Sequence, residues 1–390
     1  MARDQLPILG DTAINQLFAS LNLPSPANID KLHATADYHS IYILQFASED
    51  APELVPGCLH DSDVTFDLIL RVSGNHLPGI KTLNEVACMR WVSANTTIPV
   101  PKLVRFDASV DNLIGYEYML LERIPGKSVD KIYDQLDDHA KRYLVSQLTD
   151  CLVQLQSHSW AHVGGLSLED DKIVPGPVLD ETFWQTPDLE MYWGPGDTVQ
   201  TLNIAGPYKS YTDYGIACLQ MYSQNIEKHP SLAPYHDLCP RLMALVERLQ
   251  DDHAPIDGMR YIFAHKDLHF ANVMCDPVTA TITGILDWEF SGVVPAPSWN
   301  PSKAFLWNGQ DTAEAKVERD RMFEIFRQTC NEQQVTVILE GVRFNAAQEA
   351  LDEILRHMRA LVQVCPRGQQ EGQRAHWRAN IEVGLRYFDI

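Results

Sequence analysis

Phe263-Ala-His265-Lys-Asp267-Leu-His269-Phe-Ala-Asn272-Val-Met-Cys-Asp276-Pro-Val-Thr-Ala-Thr281-Ile-Thr-Gly-Ile-Leu-Asp287-Trp-Glu289-Phe290 is the stretch on which the fold reading turns. It holds a His-x-Asp-x-x-x-x-Asn run, then an Asp at the end of an apolar strand. Asn272 to Asp276 and Thr281 to Asp287 are strand-like, and Asp276-Pro277 is a turn signal between them. Folded as a hairpin centred near residue 279, the two strands bring Asn272 and Asp287 close to opposite each other. Directly paired antiparallel positions lie about 5 Å apart at Cα. Asp267 then sits in the loop entering the hairpin and faces the same space.

That constellation has a chemistry. Two hard oxygen donors suit Mg²⁺, which takes few protein ligands and keeps its remaining positions for water and phosphate. Asn272 and Asp287 are the expected metal ligands. Asp267 is the expected catalytic residue, accepting or orienting the proton of a substrate hydroxyl. His265 is expected to brace the loop by hydrogen bonding. Together these point to phosphoryl transfer.

Working outward, the preceding third is strand-rich. Ser40–Phe46, Asp67–Ser73, Leu103–Asp107 and Tyr116–Glu122 carry β-branched and aromatic strand formers, and Leu83 to Val92 has helical spacing. Ile98-Pro-Val-Pro101 cannot continue a helix, and Pro125-Gly126 breaks the chain as the expected hinge. Beyond it, helices are expected over 139–157, 213–226, 238–251, 312–330, 346–364 and 377–387, with loop or short elements over 164–198. A sheet-rich first lobe followed by a helix-rich second is an α+β arrangement.

The 390 residues are 45% hydrophobic and 21% charged, ordinary globular composition. The formal net charge of −21 disfavours a nucleic-acid partner. Eight scattered cysteines without a CxxC pair fit reduced thiols in a cytoplasmic protein. The N-terminus carries no secretory pattern, and no apolar run is long enough to span a bilayer.

At the His-x-Asp-x-x-x-x-Asn and Asp-Trp-Glu residues, the chain resembles the aminoglycoside phosphotransferase and choline kinase superfamily, with its fungal-type members. Thr97–Pro101 and Ile114–Gly126 look like that family's linker and nucleotide hinge. The resemblance implies a bilobal protein-kinase-like fold. Residues 1–123 would be the N-terminal nucleotide-binding lobe, with 1–30 a helical extension, and 124–390 the helical lobe with the catalytic loop and substrate site. It implies ATP and Mg²⁺ as cofactors and a small-molecule acceptor, an amine or amino alcohol among the possibilities. Arg71 stands where relatives place a cation against the nucleotide phosphates, and Glu85 where its partner belongs. The backbone of Glu122 to Ile124 would meet the adenine edge.

One departure is plain. The loop His33–Ser40 has no glycine, where relatives usually carry one to bring backbone N–H groups onto phosphate. Ser40 would donate a side-chain hydrogen bond in its place. This keeps a second reading open: a kinase-fold protein that binds a small molecule or partner, or runs another reaction. Glu289 reads either as a contact to a second metal or cationic substrate, or as a polar turn residue. Met191–Pro195, Trp299 and Trp307 read either as aromatic walls of the substrate site or as ordinary core.

Overall fold

The computed structural model describes residues 6–32, 38–55, 65–253, 255–299, 303–335, 338 and 343–390. Residues 33–37 of the glycine-less loop lie outside them. Helix α1 (Asp11–Ser20) precedes a five-stranded antiparallel sheet of β1 (Asn28–Leu32), β2 (His39–Ala47), β3 (Thr65–Ser73), β4 (Leu103–Asp107) and β5 (Tyr118–Glu122), in the order β1-β2-β3-β5-β4. The two-residue period of a strand splits its side chains between faces. Tyr42, Leu44 and Phe46 of β2 and Leu68, Leu70 and Val72 of β3 go to one face. They bury Ile14, Leu17 and Phe18 of α1. Ile41 and Arg71, paired across the strands, belong to the other face.

Between β3 and β4 runs α2 (Ile80–Asn95), longer at both ends than its apolar spacing indicates. Lys81, Asn84, Glu85 and Cys88 are all nearly or fully buried on it. Their spacing places them on one helical face. That face meets the second lobe. Asn84 Nδ2 donates to the carbonyls of Glu289 and Ser291, both at 2.9 Å, and its Oδ1 accepts from Leu166 N–H at 2.8 Å.

The second lobe begins with β6 (Lys127–Ser128) and α3 (Asp138–Gln156). The stretch expected as loop holds a hairpin, β7 (Gly165–Glu169) and β8 (Lys172–Gly176), with short helical turns after it. Then come α4 (Tyr211–Lys228), α5 (Cys239–Asp251), β9 (Tyr261–Ala264), β10 (Val273–Cys275), β11 (Ile282–Ile285) and β12 (Gly292–Pro295). The chain closes with α6 (Ala313–Glu332), α7 (Ala346–Arg359) and α8 (Arg374–Tyr387). The helix expected over 346–364 changes character at Ala360, where a π-helical turn takes over. No helix of the described residues is long and apolar enough to cross a membrane.

The lobe connection is stitched to the β10–β11 hairpin. Ile285 N–H donates to the Pro99 carbonyl at 2.8 Å, and Thr283 Oγ1 to the Pro125 carbonyl at 2.7 Å. β6 pairs with β10. Gly126, at φ 101°, passes so close that a Cβ would lie 2.3 Å from the Cys275 carbonyl oxygen; only glycine combines that φ with that approach.

Residues 178–193 are tied to the C-terminal helices by charge. Arg359 Nη1 meets Asp180 Oδ2 at 2.8 Å. Arg367 meets Asp188 at 2.7 Å and lies over the Trp184 ring. Burial pushes Asp180 upward, but Arg359 and the Thr182 hydrogen bonds outweigh it and hold the carboxyl below its ordinary value.

Two outcomes follow from this packing. Asn84→Ala strands one buried N–H and two carbonyls, and is expected to lower unfolding free energy by roughly 2–4 kcal/mol, read from urea titration. In the parent, Asp180's lowered value contributes stability above about pH 4, the unfolded value, and that contribution is lost as pH falls through the folded one. Arg359→Gln removes the largest of the interactions that oppose burial, with Lys266 and Thr182 still lowering Asp180. The variant should lose about 1–2 kcal/mol at pH 7, the pair being partly exposed. The deficit should shrink when the same titration is run at pH 4.

Candidate active site

The strand ends of β9, β10 and β11 carry the motif residues. His265, wholly buried, places Nε2 2.8 Å from the Leu286 carbonyl and sets its ring edge against the buried Trp288 at 4.5 Å. It is a bracket behind the loop. Lys266 takes a left-handed φ of 48°, so that Asp267 N–H folds back 2.5 Å onto the His265 carbonyl. Lys266 Nζ donates to the Leu179 carbonyl at 2.5 Å. Asn272 Nδ2 donates to the Asp267 carbonyl at 2.9 Å and its carboxylate at 3.1 Å. His269 Nε2 lies 3.5 Å from Asp267 Oδ1; burial lowers its proton affinity, but Asp267 outweighs this and raises it.

The hairpin brings Asn272 close to opposite Asp287 without pairing the two directly. Val273 pairs with Ile285, and Leu286 N–H donates to the Asn272 carbonyl at 2.8 Å. Asn272 therefore faces Leu286, and Asp287 lies one place further on. An irregularity between Met274 and Cys275 leaves Thr283 as an extra residue on β11, which brings Asp287 one place nearer to Asn272 than the turn-side register would. Asp287 takes φ 66°, an uncommon conformation that Asp tolerates.

Arg71 joins three partners across the lobes. Nη1 donates to Glu85 Oε1, and Nη2 lies 2.9 Å from Asp287 Oδ1 and 3.1 Å from His39 Nδ1. Burial disfavours its charge, but Glu85 and Asp287 more than compensate. Burial likewise raises Asp287, and Arg71 outweighs it, leaving the carboxylate below its usual range. Burial raises Glu85, with Arg71 pulling against it.

One placement corrects the sequence reading and a second sharpens it. Ser40 pairs with Val72 and is buried on the α1 side of the sheet, on the face opposite Arg71. Alternation in β2 gives its neighbour His39 to the Arg71 face instead, so Ser40 is not positioned to donate there. Glu289 lies in a turn, as one reading had it, but is buried there, 3% exposed, with His39 and Glu85 close enough that their ligand atoms all lie within 4.8 Å of one another. Glu289 Oε2 receives the buried Lys81 Nζ at 2.6 Å. His39 Nε2 stands 3.0 Å from the same ammonium. A neutral imidazole accepts at one nitrogen only, and burial followed by Arg71 and Lys81 keeps His39 well below its ordinary value. Glu122 ends β5 opposite Leu68, and Ile124 packs on Gly284 of the hairpin.

His39 and Lys81 escaped the sequence reading. A signal existed for Lys81: with Asn84, Glu85 and Cys88 it forms a polar row at helical spacing around an expected site residue.

Beside Asp267 opens a cleft of about 370 Å³. Its walls include Tyr211, Tyr214, Trp299, Asp180, Glu181 and Asp352. Tyr211 stacks between Tyr214 at 5.8 Å and Phe344 at 5.9 Å, and its hydroxyl donates to Asp352 at 3.0 Å. Trp307 instead packs edge-on to His269, and Trp193 packs on Trp184 and His229.

Among curated proteins, a subtelomeric hrmA-associated cluster protein of Aspergillus fumigatus (strain CBS 144.89) is 23% identical over 267 residues, 55% of this chain and 50% of that protein. Clavilactone A biosynthesis cluster protein Y of Ampulloclitocybe clavipes is 24% identical over 233 residues, 55% of this chain and 52% of that protein. The chain thus spans about half the length of the curated relatives it matches. Solved structures similar to it include the streptomycin-ATP-APH(2")-IIa ternary complex, at 10% identity, 97% coverage of both chains and a TM-score of 0.47. ADP-bound APH(2'')-Ib gives 11%, 97% of both and 0.46. The model of the phosphotransferase enzyme family APH matches residues 59–296, more than half of the sequence, and the chain belongs to that family.

Proposed function

We propose that the chain is an ATP- and Mg²⁺-dependent kinase that phosphorylates a hydroxyl of a small molecule. The observation that carries this reading is the double position of Asp267. It lines the 370 Å³ cleft and at the same time accepts from Asn272. One carboxylate thus borders both the space for an acceptor and the residues assigned to the cation.

The donor set fits that cation. Asn272 turns its amide nitrogen to Asp267, which leaves its amide oxygen as a donor. Asp287 gives Oδ1 to Arg71, which leaves Oδ2. A neutral and an anionic oxygen suit a hard divalent ion that keeps water and phosphate ligands. Bound there, Mg²⁺ would offset charge on the β- and γ-phosphates. Arg71, fixed by Glu85, would face the phosphates. The Glu122–Ile124 backbone would meet the adenine edge, and Ile124 over Gly284 would floor it.

Asp267 accepts the proton as the acceptor oxygen bonds to the γ-phosphorus. The bond from that phosphorus to the bridging oxygen breaks, and ADP leaves with the electron pair. His265 and Asn272 hold the loop that orients Asp267. The Tyr211–Tyr214 wall and Trp299 suit a flat apolar body, and Asp352 and Glu181 suit a protonated amine on it. Cleft volume is in the range of small-molecule sites, about 300–1,000 Å³.

The alternative, a kinase-fold binding protein without transfer, draws on Arg71 being engaged on three sides. ADP release from a panel of amine-bearing alcohols separates the two. Asp267→Asn is expected to keep ATP·Mg²⁺ binding, seen as an unchanged rise in melting temperature. It should lower transfer roughly 10²–10⁴-fold. A parent whose melting point ignores millimolar ATP and Mg²⁺ would sink the kinase reading.

A further inference from the structure

Resting on that reading, we propose that Glu289 is a positioning residue of the reaction. It holds the Lys81 ammonium away from Asp287, so that Asp287 meets only Arg71 and the cation.

The junction between α2 and the Asp287 segment contains three acidic side chains, Glu85, Asp287 and Glu289, and two basic ones, Arg71 and Lys81. Arg71 is divided between Glu85 and Asp287. Lys81, 1% exposed, has Glu289 at 2.6 Å and the neutral His39 at 3.0 Å. Its charge nevertheless reaches Asp287, where it acts with Arg71 to favour the carboxylate. A buried ammonium without a carboxylate is costly and moves to the nearest one. Without Glu289, the acids that the Lys81 charge also reaches are Asp287, Glu85 and Glu117. Lys81 would then occupy the Asp287 oxygen assigned to the cation, or draw Glu85 from Arg71.

The pair is also held in place by backbone. Asn84 on the same helix face clasps the carbonyls of Glu289 and Ser291. Trp288, between Asp287 and Glu289, is wholly buried, with Nε1 on the Ile285 carbonyl at 2.9 Å. Asp287 and Glu289 thus project from one anchored segment toward different cations. Pairing each acid with its own cation is what keeps the metal-side oxygen free. Partners of this kind around a metal ligand typically govern affinity by roughly 10–100-fold.

The test reads Mg²⁺-dependent binding of a fluorescent ATP analogue to the full chain, without turnover. Glu289→Gln leaves Lys81 unpaired and should raise half-saturating Mg²⁺ roughly 10–100-fold. Lys81→Met/Glu289→Gln removes the competing charge too and should return it to within about threefold of the parent, on the same scale. Glu289→Asp, which keeps the charge, should stay nearer the parent than Glu289→Gln. A merely structural pair gives the opposite order, with the double variant as impaired as the single one or more so, and that order overturns the proposal. If Glu289→Gln does not fold, the double variant decides alone: a requirement raised tenfold or more sinks the idea. A parent that binds no nucleotide at any Mg²⁺ level rejects the kinase reading itself, a distinct result.

Discussion

A single buried guanidinium governs how the two lobes meet. Arg71 leaves the sheet from β3, takes Glu85 of α2 with one nitrogen and Asp287 of the second lobe with the other, and touches His39 alongside. Its charge is tolerable inside only because both carboxylates answer it, and theirs only because it is there. The geometry explains an arginine at this strand position. A planar fork addresses partners in different directions at once, whereas an ammonium is a point charge on a flexible stem. Remove the fork and two carboxylates are left facing each other across the lobe boundary.

Much of this was legible because it is local. The strand over 103–107 and the helices over 139–157, 213–226 and 238–251 follow from side-chain period, which burial then fixes. The catalytic segment was legible because its Asp, Asn and Asp fall within twenty-one residues joined by one turn. What the spacing did not give is the exact register, which is set by an extra residue, Thr283, between the partners of Met274 and Cys275. Ser40 failed for a related reason. In a strand the difference between residues 39 and 40 is the difference between two faces, and the loop before it gave no fixed point from which to count.

The cleft wall was less legible for a topological reason. Its residues come from six separated stretches, near 163, 178–181, 211–222, 266–267, 290–299 and 352–359. Trp299, among the aromatics weighed as walls of the substrate site, does line the cleft. Asp352 and Arg359 were not so weighed, because α7 is an amphipathic helix whose cleft-facing charges look, in sequence, like any solvated face. Only the fold brings α7 against α4, where Tyr211 finds Asp352.

Two left-handed residues bear on why the site is built as it is. Lys266 at φ 48° and Asp287 at φ 66° lie on either side of the candidate site, and neither is glycine. Each such conformation costs about 1–3 kcal/mol and persists only where surroundings fix it. At Lys266, the turn closes on the His265 carbonyl and the ammonium on Leu179, so the loop bearing Asp267 is tied to the segment that opens the cleft wall. At Asp287, Arg71 and the buried Trp288 hold the residue between sheet and hairpin. In both places the strain is held by contacts that belong to different lobes or different walls of the site. Asp267 and Asp287, the acids proposed to face the acceptor and the cation, are therefore set by backbone and charge rather than by loose side-chain packing, an arrangement that would need little reorganisation if charge developed between them.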